Sequence, residues 1–132
     1  DFALYLQRMD KFDFDIITLN YSGTYNPGQE MQELFGSQRA DVEGGSNHAG
    51  VKSPAVDALV KALTRARSKD ELVPACRALD RVIMHSHYLI PQWFRSSHRA
   101  VYNQQRLDYR EPMPPYAKAE EWAMSTWWSR KP

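Results

Sequence analysis

Residues 12–27, FDFDIITLNYSGTYNP, constrain this chain more than any other stretch. Phe12, Phe14 and Ile16 alternate with Asp13 and Asp15, as in a strand with one face buried. From Ile16 to Leu19 both faces turn apolar, the pattern of a strand covered on both sides. The chemistry then switches to Asn20, Tyr21, Ser22, Gly23, Thr24 and Tyr25. In open α/β sheets, ligands sit beyond the carboxyl ends of strands. A buried strand that empties into a polar, glycine-containing loop therefore reads as a candidate binding edge. The same pattern also fits an ordinary strand-loop-helix junction. Asn26 and Pro27 are a good N-cap and first-turn pair, and Gln29 can complete a capping box.

A short helix is expected over 27–35, with Met31, Leu34 and Phe35 inward and Gly36 as its stop. Residues 37–52 read as a long polar loop with Gly44, Gly45 and Gly50. Two helices follow. Ser53-Pro54 opens the first, spanning 53–67, and its apolar stripe is Val56, Leu59, Val60 and Leu63. Asp57 and Lys61 are spaced to pair on its solvent side. Ser68-Lys69-Asp70-Glu71 is a capping box opening the second, which runs to about Met84 with Leu72, Cys76, Leu79, Val82 and Ile83 inward. Pro74 predicts a kink or a delayed start. The short connection makes the two an antiparallel pair, expected to cover one face of a sheet containing residues 14–19. Tyr88 to Phe94 and His98 to Tyr102 return to a strand pattern, with Pro91 confining the first to an edge or an end. Residues 105–132 read as a mostly irregular terminal segment, closing with a last strand or extended cover over 122–128.

The chain of 132 residues is long enough for one domain with a core. Seventeen basic against sixteen acidic residues argue against nucleic acid as a partner. No apolar run reaches membrane-spanning length. There is no initiator Met and no signal-peptide pattern; the chain opens on DFALYLQRM, an amphipathic segment, and runs straight into the strand. A central strand needs neighbours on both edges, and few other strands are available. The expectation is a single partial domain, 1–132, belonging to something larger.

Cys76 is the one cysteine, so no intrachain disulfide is possible, and its place on the helical stripe reads as a buried structural thiol. His48, His85, His87 and His98 raise a metal reading, but no HExxH or Cys pair accompanies them, and no metal or other cofactor is expected. His85 and His87 fit a polar helix terminus. Ser22 lies outside any G-x-S-x-G elbow, so catalysis is not expected. Asp13 and Asp15 read as solvated or salt-bridged acids. The aromatics Tyr21, Tyr25, Trp93 and Trp122 suit a mostly apolar pocket with a few polar groups, or simply a core.

Taken in order, FDFDIITLNYSGTYNPGQEM, the loop Asn47-His48-Ala49-Gly50-Val51, SPAVDALVKAL, ELVPACRALDRVI and YLIPQWF resemble the C-terminal part of extracellular solute-binding proteins of the peptide/nickel class, family 5. The chain is most similar to the oligopeptide and peptide-antibiotic binders of ABC importers in Gram-negative bacteria. The motifs carrying the resemblance are Asn-x-x-Gly at 47–50 and Ser-Pro-x-Val-Asp at 53–57. The resemblance implies an α/β fold, here the C-terminal part of one lobe of a two-lobe venus-flytrap receptor, with the antiparallel helix pair packed on a mixed sheet. It implies a non-enzymatic periplasmic protein, exported by a signal peptide not present in this chain and monomeric when intact. Such a receptor binds a peptide or peptide-like ligand and delivers it to membrane permease subunits. The cleft-lining segment of the family matches Leu19, Asn20, Tyr21, Ser22 and Gly23; Tyr25 and Trp93 join them as aromatic candidates. One departure stands out: residues 16–29 carry no charge, whereas several peptide binders place an acid there to meet the peptide's α-ammonium. A stand-alone enzyme or metal protein using His85 and His87 is the alternative reading.

Overall fold

A computed structural model describes residues 1–21, 26–94, 97, 99–110 and 119–130. The chain forms two compact units: one of residues 1–21 and 26–91, and one whose described residues lie between 92 and 130.

The first unit is helical. α1 (Phe2–Asp10) is capped by Asp1, whose carboxylate accepts from the Ala3 amide at 3.1 Å. Its far end is closed by Phe12, which takes the left-handed conformation, φ 56°. The Phe12 amide donates to Met9 O at 3.1 Å and the Asp13 amide to Arg8 O at 2.9 Å. This pair of bonds satisfies carbonyls that a helix terminus otherwise leaves free. Where such ends usually add an apolar contact, Arg8 Nε meets Asp13 Oδ2 at 3.0 Å.

α2 (Glu30–Phe35) ends at Gly36, where the chain turns into a 3₁₀ turn, Ser37–Arg39. Gly36 is obligatory for steric reasons: a Cβ there would lie 2.5 Å from the Gln32 carbonyl oxygen. α3 (Pro54–Arg65) and α4 (Lys69–His85) pack on each other, and α2 packs on α3. Their apolar stripes meet in a core of Val51, Val56, Val60, Leu63, Leu79, Ile83 and Phe35. Full burial of such side chains contributes about 1.5–3 kcal/mol each. Leu59 and Leu72 are partly buried against the same core. The turn between the helices is doubly capped: Ser68 Oγ accepts from the Glu71 amide at 3.3 Å, and Glu71 Oε2 accepts from the Arg67 amide at 2.9 Å.

The second unit is built on aromatic rings. β1 (Leu107–Asp108) pairs antiparallel with β2 (Trp128–Ser129), Leu107 opposite Ser129. α5 (Ala119–Thr126) precedes β2. Tyr102, Tyr109, Trp122 and Trp127 form a cluster with ring centroids 4.8–5.5 Å apart, mostly edge to face. That is the geometry ring quadrupoles favour. Arg130 Nη2 and Asp108 Oδ2, 3.3 Å apart, tie the ends of the ribbon.

The helix pair is as the stripes predict, and several expectations need correction. Residues 12–19 form no strand: Phe12 is consumed in closing α1, and no residue of the segment pairs in a described strand. The mixed sheet expected under the helix pair is replaced, among the described residues, by the two-stranded β1–β2 ribbon of the second unit. α2 starts three residues later than expected, on Gln29, with no side-chain cap; the Gly28 amide instead donates to Glu30 Oε1 at 3.0 Å. α4 runs through Pro74 from Lys69, so its start is not delayed. Asp57 does not pair with Lys61; its Oδ1 accepts from the Ser37 amide at 2.9 Å. Tyr88 to Phe94 is not a strand, and neither are the described residues 99–102; His98 lies outside the described residues. Trp122 begins neither a strand nor an extended cover, but sits within α5.

Candidate ligand-binding edge

Residues 16–20 show alternating burial despite lacking regular structure: Ile17 and Leu19 are half-buried, whereas Ile16, Thr18 and Asn20 are exposed. Tyr21 breaks the alternation, being exposed like Asn20, and is stacked on Phe35 with centroids 6.3 Å apart and planes 21° apart. Phe35 is fixed in the core by α2, so the ring contact anchors the end of the segment to the helical layer. Burial raises the Tyr21 phenol above its ordinary ionisation range, although two fifths of the residue remain exposed. A neutral phenol resting on an aromatic face can cover apolar ligand surface and still use its hydroxyl.

Of the candidate site residues, Leu19, Asn20 and Tyr21 form one continuous edge on the first unit. Ser22, Gly23 and Tyr25 lie outside the described residues. Trp93 is highly exposed and belongs to the second unit. Trp122, considered for a pocket or a core, is a member of the aromatic cluster.

Near Tyr21, an apolar groove of about 190 Å³ is lined by Met31, Phe35, Cys76, Leu79, Ile83 and Leu89 among others. Burial pushes the Cys76 thiol up, a backbone hydrogen bond opposing in part, so it stays protonated at neutral pH and is not an activated nucleophile. A wider, more polar depression of about 660 Å³ lies between the approach to α2 and the α3–α4 turn, with Gln29, Gln32, Thr64 and Arg67 on its walls.

The motif residues at 47–57 are positioned to hold the fold rather than a ligand. Asn47 is fully buried; its Nδ2 donates to Gly36 O and Val51 O, both at 3.0 Å, and its Oδ1 accepts from the Val51 amide at 2.9 Å. Gly50 closes the turn from the left-handed region, φ 62°, its amide donating to Asn47 O at 3.1 Å. Ser37 Oγ accepts from the Ser53 amide at 3.1 Å, while Asp57 holds the Ser37 amide. Two short motifs thus staple the long 36–53 connection onto α3. Sequence reasoning notices these residues but misses this role, because the partners lie eleven to twenty positions away.

His85 and His87 are exposed at the end of α4, His87 in the left-handed conformation, φ 58°. Among the described residues, no three His, Cys, Asp or Glu side chains gather to hold a metal ion. Nor is any described helix long and apolar enough to cross a membrane.

No protein-family model matches the chain. Individual proteins do. An Agrobacterium fabrum protein named "Probable peptide-binding protein YejA" is 40% identical over 131 residues, 99% of this chain and 21% of its own length. A Brucella suis protein carrying a binding-protein name is 36% identical over 128 residues, 97% of this chain and 20% of its own. A second Agrobacterium fabrum protein, named "Peptidoglycan-binding protein YepA", is 31% identical over 131 residues, 99% of this chain and 20% of its own. These relatives are named for binding, not for catalysis. The chain spans about one fifth of their length, and the matches cover 97–99% of it. Over nearly its whole length, the chain is related to about one fifth of each of these bacterial binding proteins.

Proposed function

We propose that the chain is the C-terminal part of one lobe of a two-lobe periplasmic receptor, an α/β protein that binds oligopeptides or peptide-like solutes for an ABC importer. The observation that carries this reading is the 40% identity, across 99% of the chain, to a protein named for peptide binding. The chemistry of the edge supports it. Residues 16–29 are uncharged, and Leu19, Asn20 and Tyr21 offer an apolar contact, an amide and a ring with a hydroxyl. Such a surface suits the body of a peptide, whose backbone needs hydrogen-bond partners and whose side chains need apolar cover. Ser22, Gly23, Tyr25 and Trp93 complete the proposed contact set, and charged termini would be met elsewhere. The intact receptor is proposed to be a monomer, exported by a signal peptide, that docks on permease subunits. A 31% identical relative is named for peptidoglycan binding, so peptidoglycan fragments are a second ligand class to test.

The test is a graft. This chain replaces the aligned 131 residues of the 40% identical Agrobacterium relative. The purified graft is titrated by calorimetry with a panel of free oligopeptides and muropeptides. Saturable binding of at least one member at micromolar or better affinity, about −8 kcal/mol, is the expected result. A folded graft that binds none of them, while the parent does, overturns the proposal.

A further inference from the structure

The depression of about 660 Å³ carries the charge that the edge lacks. Its walls come from residues 26–29, which follow the edge in the chain, from Gln32 on α2, and from the turn between α3 and α4. Arg67 and Lys69 are the charged residues of that wall, and no acid is among its described lining residues. The imbalance is local: residues 61–69 hold Lys61, Arg65, Arg67 and Lys69 and no acid, in a chain whose 17 basic and 16 acidic residues nearly cancel. Glu71 takes the Arg67 backbone amide, and among the described residues the Arg67 guanidinium has no hydrogen-bond or ion-pair partner. The side-chain amides of Asn26, Gln29 and Gln32 are likewise without a partner among the described residues.

Position links the depression to the edge. Tyr21 rests on Phe35, and Gln32 stands one turn earlier on a neighbouring face of α2, about 5 Å back along its axis. A ligand lying against Tyr21 needs about two or three further extended residues, each rising about 3.4 Å, to bring its end into the depression. We infer that the depression is the subsite for the terminal α-carboxylate of the bound peptide, with Arg67 meeting the carboxylate and the amides of Asn26, Gln29 and Gln32 meeting the last backbone groups. The inference rests on the peptide-binding reading above and deepens it, adding selection by charge to an edge that has none. A guanidinium suits this role because it matches a carboxylate with two parallel N–H···O bonds. Leu63 and Leu72, in the same wall, give the last side chain apolar cover. A peptide ending in an amide offers Arg67 no charge and one acceptor oxygen in place of two.

Paired ligands test it on the Agrobacterium graft. Each oligopeptide of the panel that binds is titrated as the free acid and as its C-terminal amide. The free acid is expected to bind at least about tenfold more tightly. Arg67→Gln should weaken the acid by about tenfold and the amide by less than about twofold, removing the preference. Raising salt should shrink the acid's advantage. Arg67 is exposed, so neither Arg67→Gln nor Arg67→Lys should move the melting temperature, and Arg67→Lys, which keeps the charge without the fork, should retain part of the preference. Equal affinity for acid and amide, or a preference that survives Arg67→Gln, overturns the inference and leaves peptide binding standing. A folded graft that binds no peptide removes the peptide reading and this subsite with it. If the graft does not fold, the Arg67 Nε resonance of the isolated chain is followed while N-acetyl-trialanine is added to millimolar concentration. A shift with the free acid and not with its amide supports the subsite; no shift, or the same shift with both, overturns it.

Discussion

Asn47 shows how a single buried amide can organise a connection. All three of its bonds go to backbone groups, and Gly36 O, Val51 O and the Val51 amide have no water to fall back on. Leaving one buried polar group unsatisfied costs about 1–3 kcal/mol. Asn47→Ala strands both Val51 groups, while Gly36 O keeps the Arg39 amide at 2.9 Å, so a loss of at least about 2 kcal/mol is expected from urea denaturation, a large share of a small unit's stability. Asn47→Asp should be little better, since it keeps the acceptor but loses both donations. Tyr21 supplies a second, pH-dependent expectation. Its phenol is raised by burial above the ordinary 10.0, so the folded state holds that proton after the unfolded state has released it. Stability from this group is therefore complete below pH 10 and declines as pH rises above it. Melting curves should show Tyr21→Phe losing less stability than the parent between neutral pH and pH 11. The sequence marks both residues as notable, Asn47 by its motif and Tyr21 by its place beyond the apolar run. It could not supply their partners, because Gly36 and Phe35 are brought near by chain turns that local pattern does not encode.

At the scale of the element, the legible parts were those with local punctuation. Ser53-Pro54 and Ser68 to Glu71 mark helix starts by side chains that cap their own first turn, and the stripes of α3 and α4 name their core residues in advance. The strand over 12–19 was misread for a physical reason. Alternation predicts a strand only if partners exist, and Phe12 is instead drawn into the left-handed closure of α1. Nothing in an aromatic residue advertises that role, which usually falls to glycine. His87 closes α4 in the same conformation, with its amide on Met84 O at 3.3 Å. His87 is exposed, so His87→Gly should raise stability by about 1 kcal/mol, whereas His87→Ala should not. Pro74 is a further departure, an exposed proline within α4 that deprives the Asp70 carbonyl of its helical donor. Pro74→Ala restores that donor at little packing cost, and a gain of about 1–3 kcal/mol is expected from thermal denaturation. A loss there would mean that the proline sets a bend on which the packing of α3 against α4 depends.

For the whole molecule, the question is what about one fifth of the proposed receptor's length can do alone. The proposed edge, Leu19 to Tyr21, would contact a ligand from one side only and leave the rest of the ligand surface in water. A bound peptide still loses translational freedom and must order its backbone, a cost of several kcal/mol whatever the size of the site. High affinity in a closing receptor comes from burying most of the ligand surface between two lobes. The isolated chain is therefore expected to bind no peptide more tightly than about micromolar, and calorimetry on the same panel used for the graft measures this directly. Within the graft, Tyr21→Ala should weaken binding by roughly ten- to a hundredfold, about 1.4 kcal/mol per tenfold, through lost ring cover and a lost hydroxyl. Because the edge is uncharged, raising salt should leave that deficit nearly constant. A purely structural Tyr21, serving only as a lid on Phe35, would behave differently: the melting temperature would fall while the folded fraction kept its affinity. Both readings come from one sample, and unchanged affinity with reduced stability would remove Tyr21 from the binding edge.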